Sequence, residues 1–132
     1  MKPLALVFAS LVWATAAAAE PASETTASGL VFTSVVDGTG ASPRITDTVK
    51  VKYRGTFPDG KEFDSSGDKA VELRLTRVIQ CWMEALPKLK VGGKAKLVCP
   101  PSIAYGNRGA GDVIPPGATL NFDVELVGIV GK

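Results

Sequence analysis

Few side chains in this sequence could carry acid–base, nucleophilic or metal chemistry. The 132 residues include no histidine, so the commonest general base and the commonest metal ligand are both missing. The two cysteines, Cys81 and Cys99, cannot form a structural zinc site alone. Neither a GxxxxGK(S/T) phosphate loop nor the acidic spacing of a calcium loop occurs. The sequence therefore predicts no metal and no cofactor, and on these tests alone it indicates a binding module.

Composition indicates one globular domain, since 45% of the residues are hydrophobic and 21% are charged. The formal net charge is +2 and the Lys and Arg residues are scattered, which does not favour a nucleic-acid partner.

The first residues have the pattern of a secretory signal peptide. Lys2 supplies the positive charge, an apolar run follows to Trp13, and the stretch ends in alanines up to Ala19. We predict cleavage after Ala19, a periplasmic or secreted protein, a flexible leader over residues 20–28 and a domain over 29–132. An uncleaved membrane anchor is the alternative, although the apolar run is short for a membrane span.

Hydrophobic periodicity predicts an α+β domain with five antiparallel strands and one short helix. The strands are expected at Leu30–Val36, Thr48–Arg54, Val71–Leu75, Lys94–Cys99 and Thr119–Val127. Helical spacing of apolar residues appears only from about Ile79 to Leu86, and the sheet should bury one face beneath this helix. The glycine-rich stretch Gly106–Gly111 follows no strand-to-helix crossover and is interpreted as a mobile loop.

Seven short segments, taken in order, resemble the FKBP family of prolyl isomerases. They are Val51–Gly55, Asp59–Ser66, Val78–Trp82, Lys90–Lys96, Ile103–Gly106, Ile114–Leu120 and Phe122–Leu126. The resemblance spans about residues 29 to 130, and it implies a twisted five-stranded antiparallel sheet half-wrapped around one short helix. It also implies peptidyl-prolyl cis/trans isomerase activity, proline-containing polypeptide substrates, and macrolide inhibitors of this family as ligands.

The resemblance further implies an apolar pocket for the proline ring, with Trp82 as its floor. The backbone N–H of Ile79 and the hydroxyl of Tyr105 would each contact a ligand carbonyl. Candidate catalytic residues are Tyr53, Phe63, Asp64, Trp82, Tyr105 and Phe122, and candidate substrate-binding residues are Val71, Val78, Ile79 and Ile114. Any one of these aromatic residues could alternatively be ordinary core, and Asp64 could simply cap the turn that follows it.

Two positions depart from the family pattern. Val71 falls where well-studied members carry an aromatic residue, and Ala110 lies in a loop where they often carry a histidine. A basic residue usually pairs with the pocket aspartate, and the sequence offers Lys69 or Arg74 for that role.

An exported protein can form a disulfide, and its mature chain would contain just the two cysteines. Cys81 begins the predicted helix and Cys99 ends a strand, so we predict that they are bridged. Two buried free thiols are the alternative.

Two functions remain open at this level, a folding catalyst for exported proteins and a weakly catalytic peptide-binding or chaperone module of the same fold. The short leader leaves no room for a dimerisation domain, so a monomer is expected, without a membrane association after cleavage.

Overall fold

The computed structural model describes residues 23–132. The predicted signal peptide, residues 1–19, and residues 20–22 lie outside the described part. Seven strands and one α-helix follow in the order β1 (Ser23–Thr25), β2 (Val31–Val36), β3 (Thr48–Thr56), β4 (Glu62–Ser65), β5 (Val71–Arg74), α1 (Gln80–Ala85), β6 (Lys94–Cys99) and β7 (Leu120–Ile129). Short 3-10 turns occur at Leu75–Arg77, Leu86–Lys88 and Pro101–Ile103.

All seven strands belong to one antiparallel sheet. Six of them follow in the order β1-β2-β6-β7-β3-β4, and β5 also pairs with β3. Strand β3 is long enough to use its outer edge twice. Its first half, Thr48–Val51, pairs with β5, and Arg54–Thr56 at its end pair with β4. Strands β4 and β5 therefore follow one another along the same edge of β3.

Successive side chains of a strand point to opposite faces of the sheet, and here one face is charged and exposed while the other is apolar and buried. In β6 the exposed positions Lys94 and Lys96 alternate with buried Ala95 and Leu97. Lys96 lies opposite Asp123 of β7, and their side chains form an exposed ion pair of 3.0 Å. The inner face meets the helix in a single apolar core.

Helix α1 supplies this cover through Cys81, Trp82 and Ala85, which are all buried. The helix predicted over Ile79–Leu86 is therefore confirmed within one residue at each end. The predicted disulfide is present between Cys81 and Cys99, with Cα atoms 5.8 Å apart, and it joins the start of the helix to the end of β6.

The predicted fold class is confirmed, but the count of five strands was too low. Strand β4 was missed because three of its four residues are polar, and strand β1 because all of its side chains are exposed. Within the leader predicted over residues 20–28, Ser23–Thr25 pair with β2. Within residues 23–132 no helix is long and apolar enough to span a membrane.

Candidate functional site

A cavity of about 380 Å³ opens between the inner face of the sheet and helix α1. Its lining comes from seven parts of the chain: β3, β4, β5, the segment that leads into α1, α1 itself, the loop after β6, and β7. The lining residues are Tyr53, Phe63, Asp64, Leu73, Arg77, Val78, Ile79, Trp82, Tyr105 and Phe122. Eight of these ten residues are among the ten predicted from the sequence.

Trp82 forms the base of the cavity, since it is the lining residue contributed by α1 and is only 4% exposed. Its ring packs edge-on against Tyr53, with centroids 5.1 Å apart, and against Phe122, with centroids 5.2 Å apart. Phe122 in turn meets Phe63 at 5.7 Å in a similar perpendicular arrangement. Perpendicular pairs of this kind are favourable beyond the area they bury, so the rings hold one another in fixed orientations. Trp82 and Phe122 are thus both core residues and pocket residues.

Gly55 allows these rings to approach the sheet. A Cβ atom at this position would lie 2.6 Å from Cζ of Phe63 and 3.0 Å from Cε1 of Phe122. Both distances are too short for carbon atoms, whose optimal separation is about 3.5–4.0 Å. Any larger residue on β3 here would push the aromatic walls into the cavity.

Tyr53 and Asp64 connect the wall of the cavity to its rim. The hydroxyl of Tyr53 donates to Oδ2 of Asp64 at 2.8 Å, and the backbone N–H of Ser65 donates to Oδ1 at 2.8 Å. Burial, followed by the hydrogen bond to Asp64 and its charge, raises the pKa of Tyr53 to about 12. Tyr53 is therefore a neutral donor throughout the physiological range, and Asp64 both orients its hydroxyl and accepts the backbone N–H of Ser65.

The segment before α1 presents a backbone donor at the cavity. Ile79 has an extended conformation, with φ −61° and ψ 154°, and its carbonyl accepts from Trp82 and Met83 in the first turn. Among the residues that the structure describes, the N–H of Ile79 has no acceptor. Since Ile79 lines the cavity, this donor is free for a ligand carbonyl.

Tyr105 closes the cavity from the loop after β6 and is 39% exposed. The loop is internally bonded: the N–H of Gly109 donates to the carbonyl of Tyr105, and Ala110 pairs with Ile114 through two backbone hydrogen bonds. The stretch interpreted as a mobile loop is therefore a closed, hydrogen-bonded turn. Buried Ile114, which is 5% exposed, anchors its far end in the core.

Three site predictions lack support from the geometry of this cavity. Val71 and Ile114 are not among its lining residues, and their roles in substrate binding stay predictions; Ile114 is buried in the core and Val71 packs against it. Neither Lys69 nor Arg74 pairs with Asp64; within residues 23–132 the carboxylate of Asp64 forms no ion pair, and its partners are neutral.

Two lining residues were missed, Leu73 and Arg77. Leu73 lies two residues after Val71 and so on the same face of β5, and this alternation was a usable signal. Arg77 could have been found through its position directly before the predicted pocket residues Val78 and Ile79.

The described residues contain no group of three or more His, Cys, Asp or Glu side chains placed to hold a metal ion. The arrangement instead offers an apolar cavity with edge-on aromatic walls and placed neutral donors. Such a site can enclose a small apolar group and hydrogen-bond acceptors beside it.

A fold and a site of this kind define a class of small ligand- and peptide-binding α+β domains, and comparison with known proteins identifies the family. Residues 40–127 match the model of the FKBP-type peptidyl-prolyl cis-trans isomerases, so the chain belongs to this family.

Curated relatives support the assignment. The FKBP-type peptidyl-prolyl cis-trans isomerase FkpA of Escherichia coli K12 is 48% identical over 114 residues, which cover 85% of this chain and 42% of the relative. Peptidyl-prolyl cis-trans isomerase Fkbp12 of Drosophila melanogaster is 43% identical over 104 residues, which cover 75% of this chain and 96% of the relative. The chain therefore spans less than half the length of the FkpA protein, but nearly all of the smaller relative.

Solved structures have the same fold. A peptidyl-prolyl cis-trans isomerase from Pseudomonas syringae superposes with a TM-score of 0.78 at 40% identity, covering 84% of this chain and 83% of that one.

Proposed function

We propose that this protein accelerates cis/trans rotation about X-Pro peptide bonds in polypeptides. The observation that carries the proposal is the aromatic cavity above Trp82, with the unpaired N–H of Ile79 at its edge. The name of the family supports the same activity, and so do the names of the longer relative FkpA and of the shorter relative Fkbp12.

Rotation about an X-Pro bond is slow because it must disrupt the resonance of the amide. The trans form of an X-Pro bond is favoured by only about 0.5–1 kcal/mol, yet rotation must cross about 18–20 kcal/mol. Twisting the C–N bond removes the resonance and reduces the negative charge on the carbonyl oxygen. An apolar, water-poor cavity therefore favours the twisted amide over the planar one, and catalysis rests on this differential binding.

The residues of the site have complementary roles in this mechanism. The rings of Trp82, Phe63 and Phe122 enclose the proline, while the N–H of Ile79 and the hydroxyl of Tyr105 hold carbonyls beside it. Asp64 holds the hydroxyl of Tyr53 at 2.8 Å and so fixes the ring that packs on Trp82. No proton transfer and no bond cleavage is needed, so the chemistry requires neither histidine nor metal.

The proposed setting is the periplasm or another space outside the cytoplasm, after removal of residues 1–19. The signal-peptide pattern supports it, and so does the disulfide between Cys81 and Cys99, because such bonds persist in oxidising compartments. Mass spectrometry of the protein recovered from cells is expected to give a chain that begins at Glu20. A chain that retains Met1 in the cytoplasmic fraction would contradict this address.

We expect a monomer, because residues of a single chain line the cavity on all of its described sides. Sedimentation at micromolar and higher concentrations is expected to give a single species of one chain, and a concentration-dependent dimer would contradict it.

The activity is tested by isomerisation of a short X-Pro peptide, with and without a macrolide inhibitor of the family. The protein is expected to accelerate the reaction, and the inhibitor to remove the acceleration by occupying the cavity. Acceleration that persists at saturating inhibitor would place the activity elsewhere. A folded protein without acceleration would overturn the proposal.

A further inference from the structure

The cavity has one feature that the proposed mechanism does not use, the side chain of Arg77. Arg77 lies in the 3-10 turn Leu75–Arg77 and lines the cavity, although most of its side chain is exposed. Within residues 23–132 its guanidinium has no carboxylate within 4.0 Å and forms no side-chain hydrogen bond. A planar group with five N–H donors is thus left open at the mouth of an otherwise apolar site.

Asp64, the second charged lining residue, does not neutralise Arg77. Its two carboxylate oxygens are already held by the hydroxyl of Tyr53 and the N–H of Ser65, and it forms no ion pair with Arg77. The cavity is therefore lined by the carboxylate of Asp64, which is hydrogen-bonded within the protein, and by the guanidinium of Arg77, which is free to bind a ligand.

The position of Arg77 in the chain determines what it can reach. It precedes Ile79 by two residues, and the N–H of Ile79 is the open donor for a substrate carbonyl. A peptide whose proline sits over Trp82 and whose backbone bonds Ile79 must therefore pass beside the guanidinium. A carboxylate on the residue next to the proline can pair with it in the bidentate geometry that arginine favours.

We infer that Arg77 gives this pocket a preference for X-Pro substrates that carry an acidic residue directly beside the proline. The inference rests on the proposed function and names the substrate class of the same site. The pairing is partly exposed, so its effect is modest. Exposed ion pairs correspond to about a 1.5- to 5-fold change in an equilibrium or rate ratio, and added salt weakens them.

The test measures kcat/KM for peptides that have Glu, Gln or Lys immediately before the proline, and for a second set with these residues immediately after it. In at least one set, the wild-type protein is expected to have a higher kcat/KM for the Glu peptide than for the Gln peptide, by about 1.5- to 5-fold, and a lower value for the Lys peptide. Both differences should shrink at high salt. Arg77→Ala should abolish the preference, Arg77→Glu should reverse it, and Arg77→Lys should retain part of it.

Arg74→Ala is the matched control, since Arg74 is an exposed arginine of neighbouring β5 that does not line the cavity. It should leave the Glu-to-Lys ratio unchanged. A ratio that stays the same in Arg77→Ala and Arg77→Glu, or that changes equally in Arg74→Ala, would overturn the inference. The Gln peptides separate the two proposals: if they are accelerated without any charge preference, only the inference fails, and if no peptide is accelerated, the proposed function fails.

Discussion

Through its hydrogen bond to Tyr53, the carboxylate of Asp64 acts on the aromatic wall of the cavity. The hydrogen bond of 2.8 Å between them fixes the Tyr53 ring, and this ring packs perpendicular to Trp82. Asp64 is therefore a positioning residue, and its removal should matter chiefly through Tyr53.

Replacing either partner should have the same consequence. Tyr53→Phe and Asp64→Ala are each expected to lower kcat/KM by a few-fold, because one hydrogen bond contributes about 1 kcal/mol. The double variant should be little worse than either single variant, since both remove the same bond. The measurement is a double-mutant cycle on the isomerisation rate. Effects that multiply fully in the double variant would show that the two residues act independently.

The raised pKa of Tyr53 gives a second prediction at the residue scale. Its ordinary pKa of 10.0 rises to about 12 in the folded protein, first because of burial and then because of Asp64. The folded state therefore binds the phenolic proton of Tyr53 more tightly than the unfolded state does. The resulting contribution to the free energy of unfolding is fully present below about pH 10 and is lost as the pH rises through about 12. Ultraviolet difference titration should show a late-ionising phenol that is missing in Tyr53→Phe.

Activity should be flat between about pH 6 and 8, because the chain has no histidine and Tyr53 titrates far above this range. A bell-shaped profile with two limbs in this range would contradict a mechanism without acid–base catalysis.

Among the elements, β3 and its neighbours create the space for the aromatic walls, and Gly55 is where they come closest. Gly55→Ala should destabilise the fold by about 1–3 kcal/mol through overpacking and should lower kcat/KM, because Phe63 and Phe122 must move. Gly128→Ala is the matched control on β7, since its added Cβ would meet nothing closer than 4.0 Å. Denaturant unfolding and the isomerisation rate measure both effects. Equal effects of the two substitutions would contradict the close approach at Gly55.

The disulfide joins α1 to β6 directly beside the cavity floor, because Cys81 precedes Trp82. Reduction should lower the free energy of unfolding by about 3 kcal/mol, as expected for closing a loop of this length. Denaturant unfolding with and without reductant measures the change. The variant with both Cys81→Ala and Cys99→Ala is the control, and it should not respond to reductant. If the wild-type protein is equally stable in both conditions, the bridge does not form in solution.

Elements with clear periodicity were predictable from the sequence. Alternation of buried and exposed residues in β6 and β7 gave their positions to within one or two residues. Strands β1 and β4 were not predictable in this way, because no face of β1 is buried and only Phe63 of β4 is even partly buried. Their strand conformation comes from pairing with β2 and β3 and not from their own pattern.

Eight of the ten lining residues were predictable through the family resemblance. Between Asp64 and Val78 no motif fixes the alignment, and there Leu73 and Arg77 line the cavity while neither Lys69 nor Arg74 pairs with Asp64. Ile114 lies in a matched segment, but it is buried and is not among the lining residues. Arg77 was missed because a single exposed arginine has no periodicity to distinguish it.

For the molecule as a whole, one sheet and one helix bury a single core and leave it open at one end. The same aromatic residues that complete the core, Trp82 and Phe122, form the cavity there. The shape of the cavity therefore depends on the packing of the core, and a substitution that disturbs one should disturb the other.

The most direct test of this account is nuclear magnetic resonance exchange spectroscopy of a short X-Pro peptide at equilibrium with a small amount of the protein. Uncatalysed exchange takes on the order of 10–100 s. The account predicts much faster exchange between the cis and trans signals, unchanged populations of the two isomers, and the loss of this effect in Trp82→Ala variants that remain folded. A shift in the populations without faster exchange would contradict the account, because it would show a module that binds one isomer and does not catalyse the rotation.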